Sequence, residues 1–224
     1  MSAIYLYPVW LRLWHWLNAL LFLTSLVTGL SMHFALGWLI PFDVAVPVHN
    51  TSGVLLTVSW VAFLVGNVVG GNGKHYLIDI RALPMDLYRQ VRYYVYGIFV
   101  NEPHPFHVSA EHKLNALQTL SYVGVMYGLM PLLIISGWAF LFSGDIPDTL
   151  FGYGSIWIVA MAHLLLAWML LLFLVVHVYI ITTGETPTTN LKAMFTGWHK
   201  EGESAEGQAT IDSDDTGEPA AETR

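Results

Sequence analysis

Two histidines, His163 and His177, stand 14 residues apart in the otherwise apolar segment AHLLLAWMLLLFLVVHV. An ionisable side chain at membrane depth is costly, so a functional role is the first hypothesis for it. A neutral imidazole can bind a metal, relay a proton or hydrogen-bond a neighbouring helix. At 100° per residue both side chains point to one side of a helix, and they lie about 21 Å apart along its axis.

The composition predicts the kind of element that carries these histidines. Of the 224 residues, 55% are hydrophobic and 11% are charged, against about 25% charged residues in soluble domains. Four apolar segments approach or exceed the ~20 residues that a transmembrane helix needs. They cover approximately residues 10–35, 50–69, 117–142 and 155–181. The sequence therefore predicts an all-α integral membrane protein, a four-helix transmembrane bundle whose first span is retained rather than cleaved.

The basic residues predict the orientation of the bundle. With four spans, all nine lysines and arginines fall on the side that holds the N-terminus. The loops of about 36–49 and 143–154 contain no Lys or Arg, and their charged residues are Asp43, Asp145 and Asp148. By the positive-inside rule both termini are cytoplasmic, and the chain lies in the cytoplasmic (inner) membrane.

One domain and a tail account for the whole chain. Residues 1–200 hold eight acidic and eight basic residues, whereas residues 201–224 hold the other eight acidic ones. The polar, acidic composition of that tail predicts disorder. The absence of cysteine excludes disulfides, iron–sulfur clusters and covalently attached haem. No motif indicates binding of nucleotides or nucleic acid.

The cytoplasmic loop between the second and third spans contains an amphipathic segment, YLIDIRALPMDLYRQVRYYVYGIF. Apolar and basic residues alternate in this segment at helical spacing. Pro84 stands near the start of the half in which this spacing is clearer. Arg81, Arg89 and Arg92, together with its tyrosines, favour a helix that lies at the lipid headgroups. A contact surface for a soluble partner fits the same pattern, so both readings stay open.

Four of the ten histidines are placed within the spans or at their edges. His15 lies at the cytoplasmic end of the first span, and His49 at the outer entrance of the second. The fourth span descends from outside, so His163 lies in the outer half and His177 in the inner half. Depth alone then predicts two pairs, His15 with His177 and His49 with His163.

Two imidazoles at each of two levels predict two bis-histidine b haems, because neutral imidazole binds haem iron axially between facing helices. A zinc site would need three or four convergent ligands. A proton relay would include carboxylates, and no Asp or Glu lies within the predicted spans. The alternative is a haem-free anchor or transporter in which the histidines bridge helices.

His33 competes with His49 for the outer position. It lies 18 residues from His15 on the same face, which gives an axial separation of about 27 Å against about 21 Å for the pair on the fourth span. His49 matches the level of His163 better. Gly53, one turn after His49, also leaves room for a flat macrocycle, so His49 is favoured.

The segments RLWHWLNALLF, VHNTSGVLL, KLNALQTLSY and GETPTTNLKAMFTGW, with the spacing of the two histidines on the fourth span, carry a resemblance to a known family. Over about residues 8–198 the chain resembles the dihaem cytochrome b subunits of the nickel-iron hydrogenase, formate dehydrogenase and thiosulfate reductase type, which are bacterial cytochrome b561-like membrane anchors. The resemblance implies two b haems, one held by His49 with His163 and the other by His15 with His177.

The resemblance also implies partners and a second substrate. An iron–sulfur subunit and a catalytic subunit on the periplasmic side would exchange electrons with the outer haem, and menaquinone or ubiquinone would react near the inner haem. The chain itself would be an electron-transfer subunit without catalytic residues, and a homo-oligomer of the complex is compatible with this role. The implied quinone-binding residues are Asn115, Gln118 and His177, although Asn115 also suits helix capping. Related formate dehydrogenase anchors carry a glycine before the glutamine, whereas Leu117 stands here and narrows the space.

Two further groups of polar residues have alternative readings. Arg12 either contacts a propionate of the inner haem or serves only as a topology anchor. The segment HPFHVSAEHK brings His104, His107 and His112 together in the sequence. Such a cluster can bind a metal, but a loop at the quinone entrance or the partner interface is favoured.

Overall fold

The computed structural model of the protein describes residues 3–76, 80–103, 105, 114–184 and 186–200. Its helices are α1 (Val9–His33), α2 (Phe42–Val69), α3 (Leu83–Val95), α4 (Ala116–Val123), α5 (Met130–Leu141), α6 (Ser155–Ile181) and α7 (Thr189–Thr196). Its strands are β1 (Ala3–Tyr5), β2 (Thr149–Leu150), β3 (Tyr153–Gly154) and β4 (Trp198–Lys200). Short 3₁₀ turns cover Asn72–Tyr76, Gly97–Val100 and Ser143–Asp145.

Four helical segments are long and apolar enough to cross a membrane: α1, α2, the continuous segment from α4 to α5, and α6. The predicted all-α membrane fold with four spans is therefore confirmed, and the strands of the described residues form two short antiparallel pairs. Many large apolar side chains of these helices are exposed on the outside of the bundle, as expected where lipid covers them.

The second span begins earlier than the sequence suggests. We expected it to start near residue 50, but α2 begins at Phe42. Asp43 and Pro47 look like loop residues in the sequence. Pro41 occupies the N-cap position, and Asp43 lies in the first turn, where a carboxylate interacts favourably with the helix dipole. His49 consequently lies about two turns inside the helix.

Small polar residues join α1 to α2. The hydroxyl oxygens of Ser25 and Ser52 lie 2.8 Å apart, and the indole N–H of Trp14 donates to the carbonyl of Ser59 at 2.8 Å. Lipid tails are as apolar as leucine, so helices in a membrane associate through close packing and such hydrogen bonds. These contacts fix the rotation of α1 against α2.

The third span contains a π-helical turn, Gly124–Leu129, between α4 and α5. The N–H of Met130 donates to the carbonyl of Val125, five residues back. The next residue, Pro131, has no N–H to donate to the carbonyl of Met126. The indole N–H of Trp60 on α2 donates to that carbonyl instead, at 2.7 Å. A side chain from the neighbouring helix thus satisfies the backbone group that the turn leaves free.

The amphipathic loop segment forms helix α3, with Pro84 in its first turn. Gln90 and Tyr94 are buried, and both terminal guanidinium nitrogens of Arg92 bond the carboxylate of Glu102 at 2.7 Å. Its exposed apolar residues are Met85, Tyr88, Val91 and Val95. This exposed face fits both lipid and a soluble partner, so the two readings from the sequence stand.

The two ends of the described chain meet at one end of the bundle. Strands β1 and β4 pair antiparallel, with Tyr5 opposite Trp198 and their rings 5.1 Å apart. Gly197 precedes β4 with φ of 88°, a left-handed conformation. Helix α7 ends at this glycine, which allows the chain to turn back toward β1.

Replacing Gly197 should therefore destabilise this closure. A Cβ atom there would lie 2.7 Å from Cε2 of Tyr5 and 2.8 Å from the carbonyl oxygen of Tyr7. Together with the left-handed φ, we expect Gly197→Ala to cost at least about 1–2 kcal/mol, seen as a lower unfolding temperature of the detergent-solubilised protein. Gly144→Ala is the matched control, since its Cβ would have no neighbour within 4 Å. Equal unfolding temperatures for the two variants would contradict this account.

Candidate metal centres between the helices

The structure brings the four membrane histidines together as two pairs. His15 on α1 faces His177 on α6, with ring centroids 6.3 Å apart. His49 on α2 faces His163 on α6, again with centroids 6.3 Å apart. Because α6 supplies one histidine to each pair, the two centres are separated along the bundle by about 21 Å.

The separation of the rings fits a metal ion between them. An imidazole nitrogen binds a transition metal at about 2.0–2.1 Å, and the ring centre lies about 1.1 Å behind the nitrogen. Two imidazoles on opposite sides of one ion therefore have centroids about 6.3 Å apart. A direct N–H···N hydrogen bond would bring the centroids to about 5.1 Å. The observed distances thus suit two imidazoles that share one metal ion better than two imidazoles that hydrogen-bond each other directly.

Hydrogen bonds determine which nitrogen of His49 is free to bind a metal. Its Nδ1 lies 3.0 Å from the carbonyl oxygen of Ser25 and 3.1 Å from the hydroxyl of Thr28. A carbonyl only accepts hydrogen bonds, so Nδ1 must carry the proton and Nε2 keeps its lone pair. Gly29 allows this close approach, because a Cβ there would lie 3.2 Å from Cε1 of His49.

His163 is held in the same way by α5. Its Nδ1 lies 2.8 Å from the hydroxyl of Ser136, and that hydroxyl donates to the carbonyl of Leu133 at 2.9 Å. The serine oxygen therefore accepts from Nδ1 of His163, which again leaves Nε2 with a lone pair that is available to a metal. The ring of Phe140 meets the histidine edge-on, with centroids 5.8 Å apart.

The other pair is held mainly by aromatic packing. Nδ1 of His15 is buried and has no hydrogen-bond partner among the described residues. Trp16 meets His15 edge-on at 5.1 Å between centroids. The ring of Phe173 stacks on His177 at 5.6 Å, and Tyr122 contacts it at 6.3 Å. The two centres thus differ in how their imidazoles are supported.

Two buried N–H donors lie close to His15 in the sequence of α1. The guanidinium of Arg12 donates to the carbonyl of Phe195, and Trp16 stacks on the ring of Phe195 at 4.3 Å. Nε of Arg12 and Nε1 of Trp16 are buried without an acceptor in the part of the chain that the structure describes. Because a buried donor without a partner is unusual, an acceptor such as a carboxylate fits here. Arg12 was expected from the sequence, whereas Trp16 was not.

Asn115 and Gln118 form a capping box at the start of α4. The side chain of Asn115 accepts from the backbone N–H of Gln118 at 2.9 Å, and the side chain of Gln118 accepts from that of Asn115 at 3.1 Å. Asn115 is buried and its amide also donates to the hydroxyl of Tyr94. The side-chain NH₂ of Gln118 has no partner among the described residues. It lies one turn before Tyr122, on the helix face that contacts His177.

The remaining histidines are placed elsewhere or lie outside the described residues. His33 is exposed and its ring contacts Phe34, at 4.7 Å between centroids, so it is His49 that faces His163. His104, His107 and His112 lie outside the described residues. Among the residues the structure describes, no three His, Cys, Asp or Glu side chains converge on one point, which disfavours a zinc site there.

Comparisons with known proteins agree with this architecture. A family model described as prokaryotic cytochrome b561 matches residues 6–197. A protein of Escherichia coli (strain K12) named "Putative cytochrome YdhU" is 41% identical over 199 residues, which cover 89% of this chain and 76% of that protein. The residues matched by the family model include all four paired histidines and helices α1 to α7.

Proposed function

Because the chain belongs to the prokaryotic cytochrome b561 family of membrane haem proteins, which transfer electrons, we propose that it carries two b haems. One haem lies between His49 and His163 and the other between His15 and His177. Each haem supplies an iron that takes up and releases one electron. The observation that carries this proposal is the 6.3 Å separation of the ring centroids, found in both pairs.

The surroundings of the two pairs support haem as the bound group. A Cβ at Gly53, one turn after His49, would have nothing within 4 Å, so the backbone there is open to a flat ring. At the other pair, Nε of Arg12 and Nε1 of Trp16, which have no acceptor among the described residues, would donate to a haem propionate. The sequence leaves two roles open for Arg12, contact with a haem propionate or a topology anchor. The proposal assigns it the contact with the propionate.

The distribution of charged residues favours one orientation of the helix bundle in the inner membrane. The end that carries His15 and His177 also carries the paired strands β1 and β4 at the two ends of the described chain. The basic residues of the sequence fall on the same side of the four spans, so we place this end in the cytoplasm. The other end, whose charged loop residues are Asp43, Asp145 and Asp148, faces the periplasm. Electrons would then cross the bilayer between the His49–His163 centre and the His15–His177 centre.

The chain requires partners to complete a redox reaction. It has no cysteine to hold iron–sulfur clusters. We therefore propose that an iron–sulfur subunit and a catalytic subunit on the periplasmic side exchange electrons with it, as part of a respiratory chain. The chain itself serves as the membrane anchor and electron-transfer subunit of that quinone-linked oxidoreductase.

Quinone is proposed to react beside His177. Gln118 offers a side-chain NH₂ that has no partner in the described part of the chain, and Tyr122, one turn on, contacts the ring of His177. An amide N–H is a suitable donor to a quinone carbonyl. Asn115 supports this group chiefly through the capping box, which fixes the start of α4.

A reduced-minus-oxidised spectrum of the purified full-length chain tests the haem proposal. We expect an α band of b haem and about two haems per chain by the pyridine haemochromogen assay. One haem per chain would contradict the two-centre arrangement. No α band at all would support the haem-free alternative, in which the histidines serve only to join helices.

A further inference from the structure

The two histidine pairs differ in the hydrogen bonds of their Nδ1 atoms. In the His49–His163 pair, both Nδ1 atoms have an oxygen acceptor at 2.8–3.1 Å. In the other pair, Nδ1 of His15 is buried with no acceptor, and His177 makes only ring contacts within the described residues. The difference concerns Nδ1, the ring nitrogen whose hydrogen bond changes how strongly Nε2 donates to a metal.

A hydrogen bond donated by Nδ1 increases the electron density at Nε2. The imidazole then becomes a stronger donor to iron, which favours the ferric over the ferrous state and lowers the reduction potential. Ser136 is well suited to this effect. Its own proton goes to the carbonyl of Leu133, so its oxygen is available only to accept from His163.

The charges along the bundle act in the same direction. A positive charge near a haem stabilises the added electron, and a negative charge destabilises it. Arg12 lies one turn before His15, whereas Asp43 lies about two turns before His49 on α2. Hydrogen bonds and charges thus both make the His49–His163 end the less favourable place for an electron.

We propose that Ser136 and Thr28 are positioning residues that lower the reduction potential of the haem between His49 and His163 below that of the other haem. This inference rests on the proposed two-haem function. In a protein that holds both haems, one electron would then pass from the ferrous iron held by His49 and His163 to the ferric iron held by His15 and His177. Electrons from a periplasmic reductant would therefore accumulate on the haem at the end where we place the quinone.

The test is a potentiometric titration of the α band in the full-length protein and its variants. Wild type should titrate as two components, and His163→Ala should retain only the component of higher potential. Ser136→Ala should shift the lower component to a more positive potential and leave the upper one in place. Ser136→Thr, which keeps the hydroxyl, should restore the wild-type value. The low-spin EPR signal of the same haem should move with its potential in Ser136→Ala.

Thr28→Val provides a second variant, because it acts on the partner ligand. It should shift the same component in the same direction but by less, since the carbonyl of Ser25 still accepts from His49. Thr24→Val is the matched control on α1, as its hydroxyl bonds only the carbonyl of Leu20, and it should shift neither component.

The outcomes separate this inference from the proposed function. Absence of b haem in the wild-type protein would contradict the proposed function itself. Two haems whose potentials do not respond to Ser136→Ala or Thr28→Val would overturn the inference and leave the function standing. Retention of the lower component in His163→Ala would also overturn it, because the order of the two potentials would then be reversed. If the Ser136→Ala variant does not bind haem at this centre, the potential of the lower component in Thr28→Val tests the inference instead.

Discussion

His163→Ala is expected to reduce the haem content from about two per chain to about one. His163 is the single contribution of α6 to its centre, and the other centre lies about 21 Å further along that helix. Loss of one imidazole should release the haem between His49 and His163 while the remaining haem keeps an ordinary low-spin spectrum. The pyridine haemochromogen assay and low-spin EPR on the purified chain measure both results.

His33→Ala serves as the control for this experiment. His33 lies at the end of α1, is exposed, and its ring contacts that of Phe34, so the variant should retain two haems. A full haem content in His163→Ala would contradict the assignment. Loss of a haem in His33→Ala would show that His33, the competitor identified in the sequence, supplies the ligand instead of His49.

His177→Ala should abolish two properties together: the haem between His15 and His177, and the reaction with quinol. The quinone candidate Gln118 lies one turn from Tyr122, whose ring contacts His177. Without this centre, an electron from quinol has no nearby acceptor and the other haem lies about 21 Å further along α6. The α band of the remaining haem, followed after addition of a reduced quinone analogue, measures the effect.

The informative comparison is between the two single-haem variants. In His163→Ala the analogue should still reduce the remaining haem, whereas in His177→Ala only a chemical reductant such as dithionite should do so. His199→Ala is a suitable control, because His199 lies in β4 at the same end of the bundle and pairs with β1. Reduction by the analogue at the wild-type rate in His177→Ala would place the quinone at the other centre.

The spans and the levels of the histidines could be predicted because both depend on local properties of the chain. Hydropathy over ~20 residues identifies a transmembrane helix, and 1.5 Å per residue places His15 and His177 at one level. The predicted start of the second span, near residue 50, lies eight residues after the observed start of α2 at Phe42. There Asp43 and Pro47 dominate the local composition, although both suit the first turns of a helix that is capped by Pro41.

The side chains that support the histidines could not be predicted, because their placement depends on how neighbouring helices are rotated. Ser136 reaches His163 only after the π-helical turn at Gly124–Leu129 has set the rotation of α5. Pro131 is a sequence signal for an irregular helix, but it does not reveal which face results. Thr28 reaches His49 because small residues allow α1 and α2 to pack closely.

Asn115 shows a different limit, since one residue type suits two roles. An amide at the start of a helix caps the free N–H groups there, and it also hydrogen-bonds a quinone carbonyl. The sequence offers no means of choosing between them. In the structure the capping interaction uses the Asn115 oxygen, and Tyr94 uses its NH₂. Gln118 therefore becomes the stronger candidate for the quinone.

The position of α6 in the chain would determine when the two proposed haems can be inserted. Both centres take their second histidine from this last membrane span, whereas His15 and His49 belong to the first two. Ribosomes synthesise the N-terminal part first, at about 5–20 residues per second, so His163 follows His49 by roughly 6–23 s. During that interval neither His15 nor His49 has its partner on α6. Under the two-haem proposal, haem insertion at either centre would follow synthesis of the fourth span, and a chain that ends before Ser155 would hold neither haem.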